Sequence, residues 1–184
     1  TSVTAPLIAD LGTGSGALVL SIVSELFDRG LAATGVAVDC SSDALAVARR
    51  NALKHRILTV SMVESSWWSE VDESLRGRFD LVVSNPPYIG EGEMGDLDSS
   101  LDYEPRGALV SRDSRGTSGL ADIEEILRST GPWLASHGVL ILEHGFAQGP
   151  VVRDLAKEFG FANVRTEKDF SGHDRFLVAK GYGA

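Results

Sequence analysis

Asp10-Leu11-Gly12-Thr13-Gly14-Ser15-Gly16 carries a glycine at every second position, between the apolar run Pro6–Asp10 and an apolar stretch that opens at Ala17. Glycine accepts backbone angles closed to other residues and puts no Cβ between the main chain and a ligand. The spacing therefore predicts a sharp turn that a ligand can approach closely. A strand, a glycine turn and a helix in that order make a loop for a nucleotide-type cofactor. Asp10, Gly12, Thr13, Gly14, Ser15 and Gly16 are the first candidate binding residues.

Outward from this loop, short apolar runs alternate with helical periodicity to the end of the chain, the pattern of a parallel sheet covered by helices on both faces. Strands are predicted at Pro6–Asp10, Gly35–Asp39, Thr59–Val63, Phe79–Ser84 and Val139–Glu143. Ser41 or Ser42 caps a helix whose face carries Ala44, Leu45, Val47, Ala48 and Ala52. Leu120, Ile123, Ile126, Leu127 and Leu134 give a later helix its buried stripe, and Gln148–Phe159 is the last long helix. Asn163–Lys168 and Arg175–Lys180 leave no room for a helix between them and are expected to pair as an antiparallel hairpin. The fold class is α/β, a doubly wound, mostly parallel seven-stranded sheet with an antiparallel last strand, in one domain over residues 1–184. Ile89–Thr117 is rich in Gly, Asp, Ser and Arg and longer than ordinary connections, as functional or disordered segments are. Because the first strand opens almost at residue 1, any domain that precedes it is expected to be missing.

Asp39 closes the second strand, where a carboxylate can accept both hydroxyl hydrogens of a ribose lying across the strand ends. Taken alone the pair is ambiguous, since Gly12, Gly14 and Ala17 with Asp39 also satisfy the looser fingerprint of a nicotinamide-dependent dehydrogenase. Two features favour S-adenosylmethionine. Asp10 puts a carboxylate beside the glycines, which suits a methionyl ammonium and is awkward beside a pyrophosphate. The hairpin ending is the second, and with it the chain resembles class I methyltransferases over nearly its whole length.

Asn85-Pro86-Pro87-Tyr88 follows directly on the fourth strand. Two prolines cannot continue a sheet, so the chain leaves it with restricted dihedrals and with carbonyls free to bond elsewhere. A nitrogen awaiting methylation carries two hydrogens. The Asn85 side-chain oxygen and the Pro86 carbonyl can each accept one, directing the nitrogen lone pair toward a methyl donor, while Tyr88 can stack on the acceptor's planar group. The chemistry needs orientation more than acid–base power, and no metal.

Motifs of this kind are similar to those of amino-group methyltransferases acting on adenine, cytosine, guanine or glutamine. Tyr103-Glu104-Pro105-Arg106-Gly107-Ala108-Leu109, Leu142-Glu143-His144-Gly145, Lys168-Asp169-Phe170 and Asp174-Arg175 together resemble the release factor glutamine N5-methyltransferase family. That resemblance implies a glutamine of a peptide chain release factor as acceptor. It also implies that Gly12 to Gly16, Asp39, Trp67 and Asn85 contact S-adenosylmethionine, with Trp67 beside the adenine, and that Asn85, Pro86, Pro87 and Tyr88 hold the glutamine. The sequence departs from the family at Ser66, where an Asp usually precedes the Trp, and in a longer Val110–Leu120 segment, and the family's helical amino-terminal domain is expected to be missing.

A formal charge of −9 and a pI near 4.9 argue against a surface built to neutralise phosphates, so a base of RNA or DNA is the disfavoured alternative acceptor. A lone Cys40, read as a small buried residue, excludes a disulfide or thiolate zinc cluster within the chain. No leader or membrane-length apolar run occurs, so the cytoplasm is the expected compartment. Of the adjacent Trp67 and Trp68 one is expected in the core. His144 reads as a structural histidine rather than a base, Glu104 and Arg106 as ordering the long loop or as a surface pair. Glu91, Glu93, Asp96, Asp98 and Asp102 read as a solvated face able to complement a basic partner protein.

Overall fold

The apolar runs do become the strands of one sheet. A computed structural model describes residues 5–96 and 106–183. Its elements are β1 (Leu7–Leu11), α1 (Ala17–Asp28), β2 (Thr34–Asp39), α2 (Ser42–His55), β3 (Val60–Glu64), β4 (Phe79–Ser84), β5 (Ile89–Gly90), α3 (Arg106–Leu109), β6 (Val110–Ser111), α4 (Ala121–Thr130), β7 (Leu134–Glu143), α5 (Gly149–Glu158), β8 (Phe161–Lys168) and β9 (Asp174–Tyr182). The seven-stranded sheet runs β3-β2-β1-β4-β7-β9-β8, with β1 to β4 paired in parallel and β8 antiparallel to β9. Both the class and the closing hairpin are as the sequence predicts. No described helix is long and apolar enough to cross a membrane.

Described residues of Thr1–Ser84 and Pro132–Leu140 form one compact unit. Its core gathers Ile8 of β1, Val19, Leu20 and Val23 of α1, Ala37 of β2 and Ala52 of α2. Val19, Leu20 and Val23 recur at helical spacing, and burying each aliphatic side chain is worth about 1.5–3 kcal/mol. Gly35 makes the close approach of α1 to β2 possible, since a Cβ there would lie 2.8 Å from a Val19 methyl. Ser41 is the residue that caps α2, its hydroxyl accepting the Ala44 amide at 3.2 Å. Trp68 stacks on Trp133 at 4.6 Å and 10° and meets Phe79 at 5.4 Å.

The second unit comprises described residues of Asn85–Gly131 and Ile141–Ala184. Ile123, Ile126 and Leu127 of α4 and Val152, Leu155 and Ala156 of α5 are buried, as are Phe161, Leu177 and Ala179 of the hairpin. Ser114, Arg115 and Arg128 all bond to the buried Glu124, and Arg115 also makes two bonds to Glu158 at 2.9 and 3.0 Å.

Three sequence readings are corrected. Leu134 opens β7 instead of ending a helix, and β7 starts five residues before the predicted Val139. Ser136, His137 and Gly138 break its apolar pattern, yet Gly138 suits a strand here, because a Cβ would lie 2.5 Å from the Phe79 carbonyl oxygen. Ile89–Thr117 is more regular than expected where described, with β5 and β6 paired in parallel over two residues each, too short to leave a period in the sequence. Cys40 is exposed, because β2 has already ended and the chain is turning into α2.

Candidate active site

β1 delivers Asp10 fully buried beneath the glycine turn. Its Oδ2 accepts the Thr13 hydroxyl at 2.7 Å and the Val19 amide at 3.2 Å. Helix α1 starts after Gly16 without a side-chain cap of its own, so Asp10 caps it from the strand, satisfying an N–H that the first turn leaves open. Asp10 Oδ1 is buried with no hydrogen-bond partner among the described residues. Burial foremost pushes this carboxyl up to about 6, against the Thr13 and Val19 bonds that lower it.

Gly12, Gly14 and Gly16 take φ of 70°, 56° and 81°, the left-handed angles that require glycine. The Thr13 amide donates to the Val38 carbonyl of β2 at 2.9 Å, and the Gly14 amide to Asp39 Oδ2 at 2.8 Å. Asp39 Oδ1 takes the Ser41 amide at 2.9 Å. Ser15 is exposed, and its carbonyl accepts Asn51 of α2 at 2.9 Å. The loop is thus tied to β2 and α2 by bonds that cross 25 and 36 positions of sequence.

Trp67 and Trp68 separate as adjacent side chains should: Trp68 is core, while Trp67 stays half-buried in the turn after β3, at φ 51°. A left-handed angle on so bulky a residue is strained by about 1–3 kcal/mol. The Ser65 hydroxyl helps to hold it, donating to the Trp67 carbonyl and accepting the Glu70 amide, both at 2.9 Å, while the Ser65 amide bonds to the Asp39 carbonyl at 3.0 Å. Asp39 and the Trp67 turn therefore lie together at the carboxyl ends of the neighbouring parallel strands β2 and β3.

In the second unit, Asn85 is exposed, Pro86 buried, and Pro87 and Tyr88 half-buried. The Tyr88 hydroxyl donates to Glu143 Oε1 at 3.0 Å and accepts from Arg175 Nη1 at 3.4 Å, and the Arg175 guanidinium lies 5.9 Å from the Tyr88 ring. Burial, then the charge of Glu143, pushes the phenol up to about 12, so it stays protonated. Asp169 holds Arg175 from the hairpin turn at 3.5 Å. His144 is buried. Its Nδ1 lies 2.8 Å from the Gly145 carbonyl, which can only accept, so the proton sits on Nδ1 and Nε2 is bare and unpartnered among the described residues. Burial holds its pKa below the usual histidine value, consistent with a neutral structural ring.

Gln148 has no role in the sequence reading beyond starting a helix. Its Nε2 donates to the Tyr88 carbonyl at 3.0 Å and to the Ser118 carbonyl at 2.7 Å, and its Oε1 accepts the Gly145 amide at 2.9 Å. No local pattern marks a residue whose partners lie 60 and 30 positions away. Tyr103, Glu104 and Pro105, with Asp98 and Asp102, lie outside the described residues. Among the described residues no group of acidic, histidine or cysteine side chains could hold a metal.

The sequence profile of the methyltransferase small domain family matches residues 3–98, a span holding the glycine loop, Asp39, Trp67 and the Asn-Pro-Pro-Tyr turn. The chain belongs to that family. This decides the ambiguity of the glycine loop against a dehydrogenase. Curated relatives carry a narrower name. The release factor glutamine methyltransferase of Aliivibrio fischeri is 37% identical over 173 residues, covering 94% of this chain and 57% of that protein. Those of Vibrio cholerae and Haemophilus influenzae are each 38% identical, covering 94% and 93% of this chain and 57% of theirs. The chain thus spans little more than half the length of these relatives. Among solved structures, a ribosomal protein L11 methylase from Lactobacillus delbrueckii subsp. bulgaricus (TM-score 0.66, 20% identity, 98% of this chain and 73% of that one) shares the fold. So does a methyltransferase from Pyrococcus furiosus (TM-score 0.66, 19% identity, 95% and 75%).

Proposed function

We propose that this chain transfers a methyl group from S-adenosylmethionine to the side-chain amide nitrogen of a glutamine in a protein, a peptide chain release factor as the names of its relatives suggest. The observation that carries the reading is the Asn-Pro-Pro-Tyr turn, with Asn85 exposed and Tyr88 braced by Glu143 and Arg175, in a chain similar to glutamine methyltransferases over most of its length.

The residues of the first unit fit the cofactor. Asp10 Oδ1 is a buried anionic atom wanting a donor, which suits the methionyl ammonium. Gly14 has open space where a Cβ would stand, and Asp39 keeps a second lone pair on each oxygen for the ribose hydroxyls. Trp67 offers a face to the adenine. The bound cofactor supplies an electrophilic methyl carbon on a good neutral leaving group.

For the acceptor, Asn85 Oδ1 and the Pro86 carbonyl each take one amide hydrogen, and the Tyr88 ring supports the flat amide. With the amide so held, its nitrogen lone pair would face the methyl carbon that a bound cofactor would supply, and the proton released on methylation would pass to solvent. Neither Tyr88 nor His144 serves as the base, the one held protonated and the other buried with its proton on Nδ1. Alignment supplies the rate, as holding reacting atoms in near-attack geometry can be worth about 7–11 kcal/mol.

Incubating the chain with a release factor and labelled S-adenosylmethionine, then mapping the modified residue by mass, tests the reading. Label on a single glutamine amide is expected. Label on a nucleic-acid base, with the release factor untouched, overturns it.

A further inference from the structure

We infer that Gln148 is a positioning residue for methyl transfer, its side-chain amide fixing the carbonyl end of the acceptor turn; this rests on the glutamine-methylation reading above. The buried Gln148 amide has two hydrogens and one acceptor oxygen, and all are used on main-chain groups of three separate segments: Tyr88, Ser118 and Gly145. No side-chain partner is involved, so the amide reads backbone position and nothing else.

Tyr88 is the last residue of the Asn-Pro-Pro-Tyr turn. Proline rings limit φ inside the turn, whereas the peptide plane leaving Tyr88 stays free to rotate unless its carbonyl is held. Gln148 holds it. Gly119 closes the other side of the same carbonyl, adopting φ 66° and approaching so closely that a Cβ there would stand 2.2 Å from the Tyr88 oxygen. Gly90 meets Ser118 as tightly, so Tyr88–Gly90 and Ser118–Gly119 lie against one another with Gln148 bonded to both carbonyls. The brace is itself anchored. Gln148 begins α5, whose Val152, Leu155 and Ala156 are buried. Glu143 and Arg175 grip the Tyr88 ring while Gln148 grips its backbone, so the residue has neither end free. Alignment chemistry is lost when reacting groups stray by about an ångström, so loosening this carbonyl is expected to slow turnover without touching the glycine loop.

Gln148→Leu removes all three bonds, and Gln148→Glu keeps the shape but has a hydrogen to donate only when protonated. In Gln148→Leu, kcat on a glutamine-bearing release-factor peptide is expected to fall about tenfold or more, with S-adenosylmethionine affinity by calorimetry within about twofold of the parent. In Gln148→Glu, kcat relative to the parent is expected to rise as pH falls from about 9 to about 6, restoring one carbonyl bond, a signature that loss of packing would not give. Amide hydrogen exchange at Ile89, Gly90, Ser118 and Gly119 should accelerate in both variants whichever acceptor the enzyme uses. Parent-like kcat in Gln148→Leu, or a pH-independent ratio in Gln148→Glu, overturns the inference; should Gln148→Leu fail to fold, Gln148→Glu alone decides. A parent that leaves the peptide untouched defeats the glutamine reading instead, and unchanged exchange then overturns the brace independently.

Discussion

Asp39 Oδ2 accepts the amide hydrogen of Gly14 at 2.8 Å, so the carboxylate at the end of β2 fixes the middle of the glycine loop as well as facing the proposed ribose. Its other oxygen holds Ser41 at the start of α2. One residue thus sets the spacing of strand, loop and helix.

Replacing Asp39 by Ala is expected to weaken S-adenosylmethionine binding by about 1–3 kcal/mol, the cost of a lost charged hydrogen-bond partner. Asp39→Asn, which keeps one acceptor oxygen, should fall between parent and alanine variant. Calorimetry on the three proteins reads the order directly, and equal affinities would remove Asp39 from the ribose contact.

Asp10 makes stability and binding respond to pH in opposite senses. Its carboxyl is raised from 3.8 to about 6, so the folded protein holds this proton more tightly than the unfolded chain. The stability it contributes is fully present below about pH 4 and is lost as pH rises through about 6, a change of about 3 kcal/mol relative to Asp10→Asn. Thermal melts of the two proteins across that range check it. A methionyl ammonium beside Oδ1 favours the ionised form, so S-adenosylmethionine affinity should climb through the same window. Affinity that is flat from pH 5 to 7 would place the ammonium elsewhere.

Tyr88→Phe deletes a hydroxyl bonded to both Glu143 and Arg175. Methyl transfer should drop about tenfold, with the melting point lowered by no more than a surface-loop change would cause, because the ring is retained and only its orientation is freed. With the phenol pushed up to about 12, the parent's pH–rate profile should show no loss from tyrosine ionisation up to about pH 10. A descending limb near pH 10 that vanishes in Tyr88→Phe would contradict the assigned protonation.

How much of this was legible in the chain depends on the range of the interaction. The glycine loop, Asp39 and the closing hairpin are written in local spacing, and local spacing is what fixes a turn, a strand end or a connection too short for a helix. Asn85 to Tyr88 are legible for the same reason. Gln148, two of whose three main-chain partners lie in distant segments, leaves no compositional trace, and neither do the two hydrogen bonds of Arg115 to Glu158. Asp10 was legible as a carboxylate beside the loop; that it also caps α1 depends on a bond to Val19, nine positions on, that only the folded turn creates. Leu134 was misplaced because apolar residues of a strand start and a helix end look alike when a polar stretch such as Ser136–Gly138 interrupts the strand.

Asn85 is exposed, so its substitution should separate function from folding. Asn85→Ala is expected to leave the melting temperature near the parent's while methyl transfer falls by about a hundredfold or more, since alignment is worth several kcal/mol and an exposed loop side chain contributes little to stability. Retained turnover would take Asn85 out of the mechanism.

The acceptor itself can be tested by charge and by hydrogen count. A glutamine amide brings two hydrogens on a flat, uncharged group, matching the two acceptors proposed at Asn85 and Pro86, whereas a glutamate carboxylate brings none and would set its charge against both oxygens. An adenine amino group satisfies the same pair, so geometry alone does not choose. Electrostatics is the discriminator the proposal relies on. Glu91 and Glu93 are exposed three and five residues after Tyr88, and the chain as a whole carries −9. Phosphates approaching that segment would be repelled and a basic protein loop drawn in, an effect that weakens as salt shortens the range of the field to about 10 Å at 0.1 M. A release-factor peptide bearing the glutamine should therefore be methylated, its Gln→Glu counterpart should not, and KM for the peptide should rise with salt and in Glu91→Gln/Glu93→Gln. An oligonucleotide methylated faster than the peptide, with a KM that falls in the double variant, would assign the turn to a base instead.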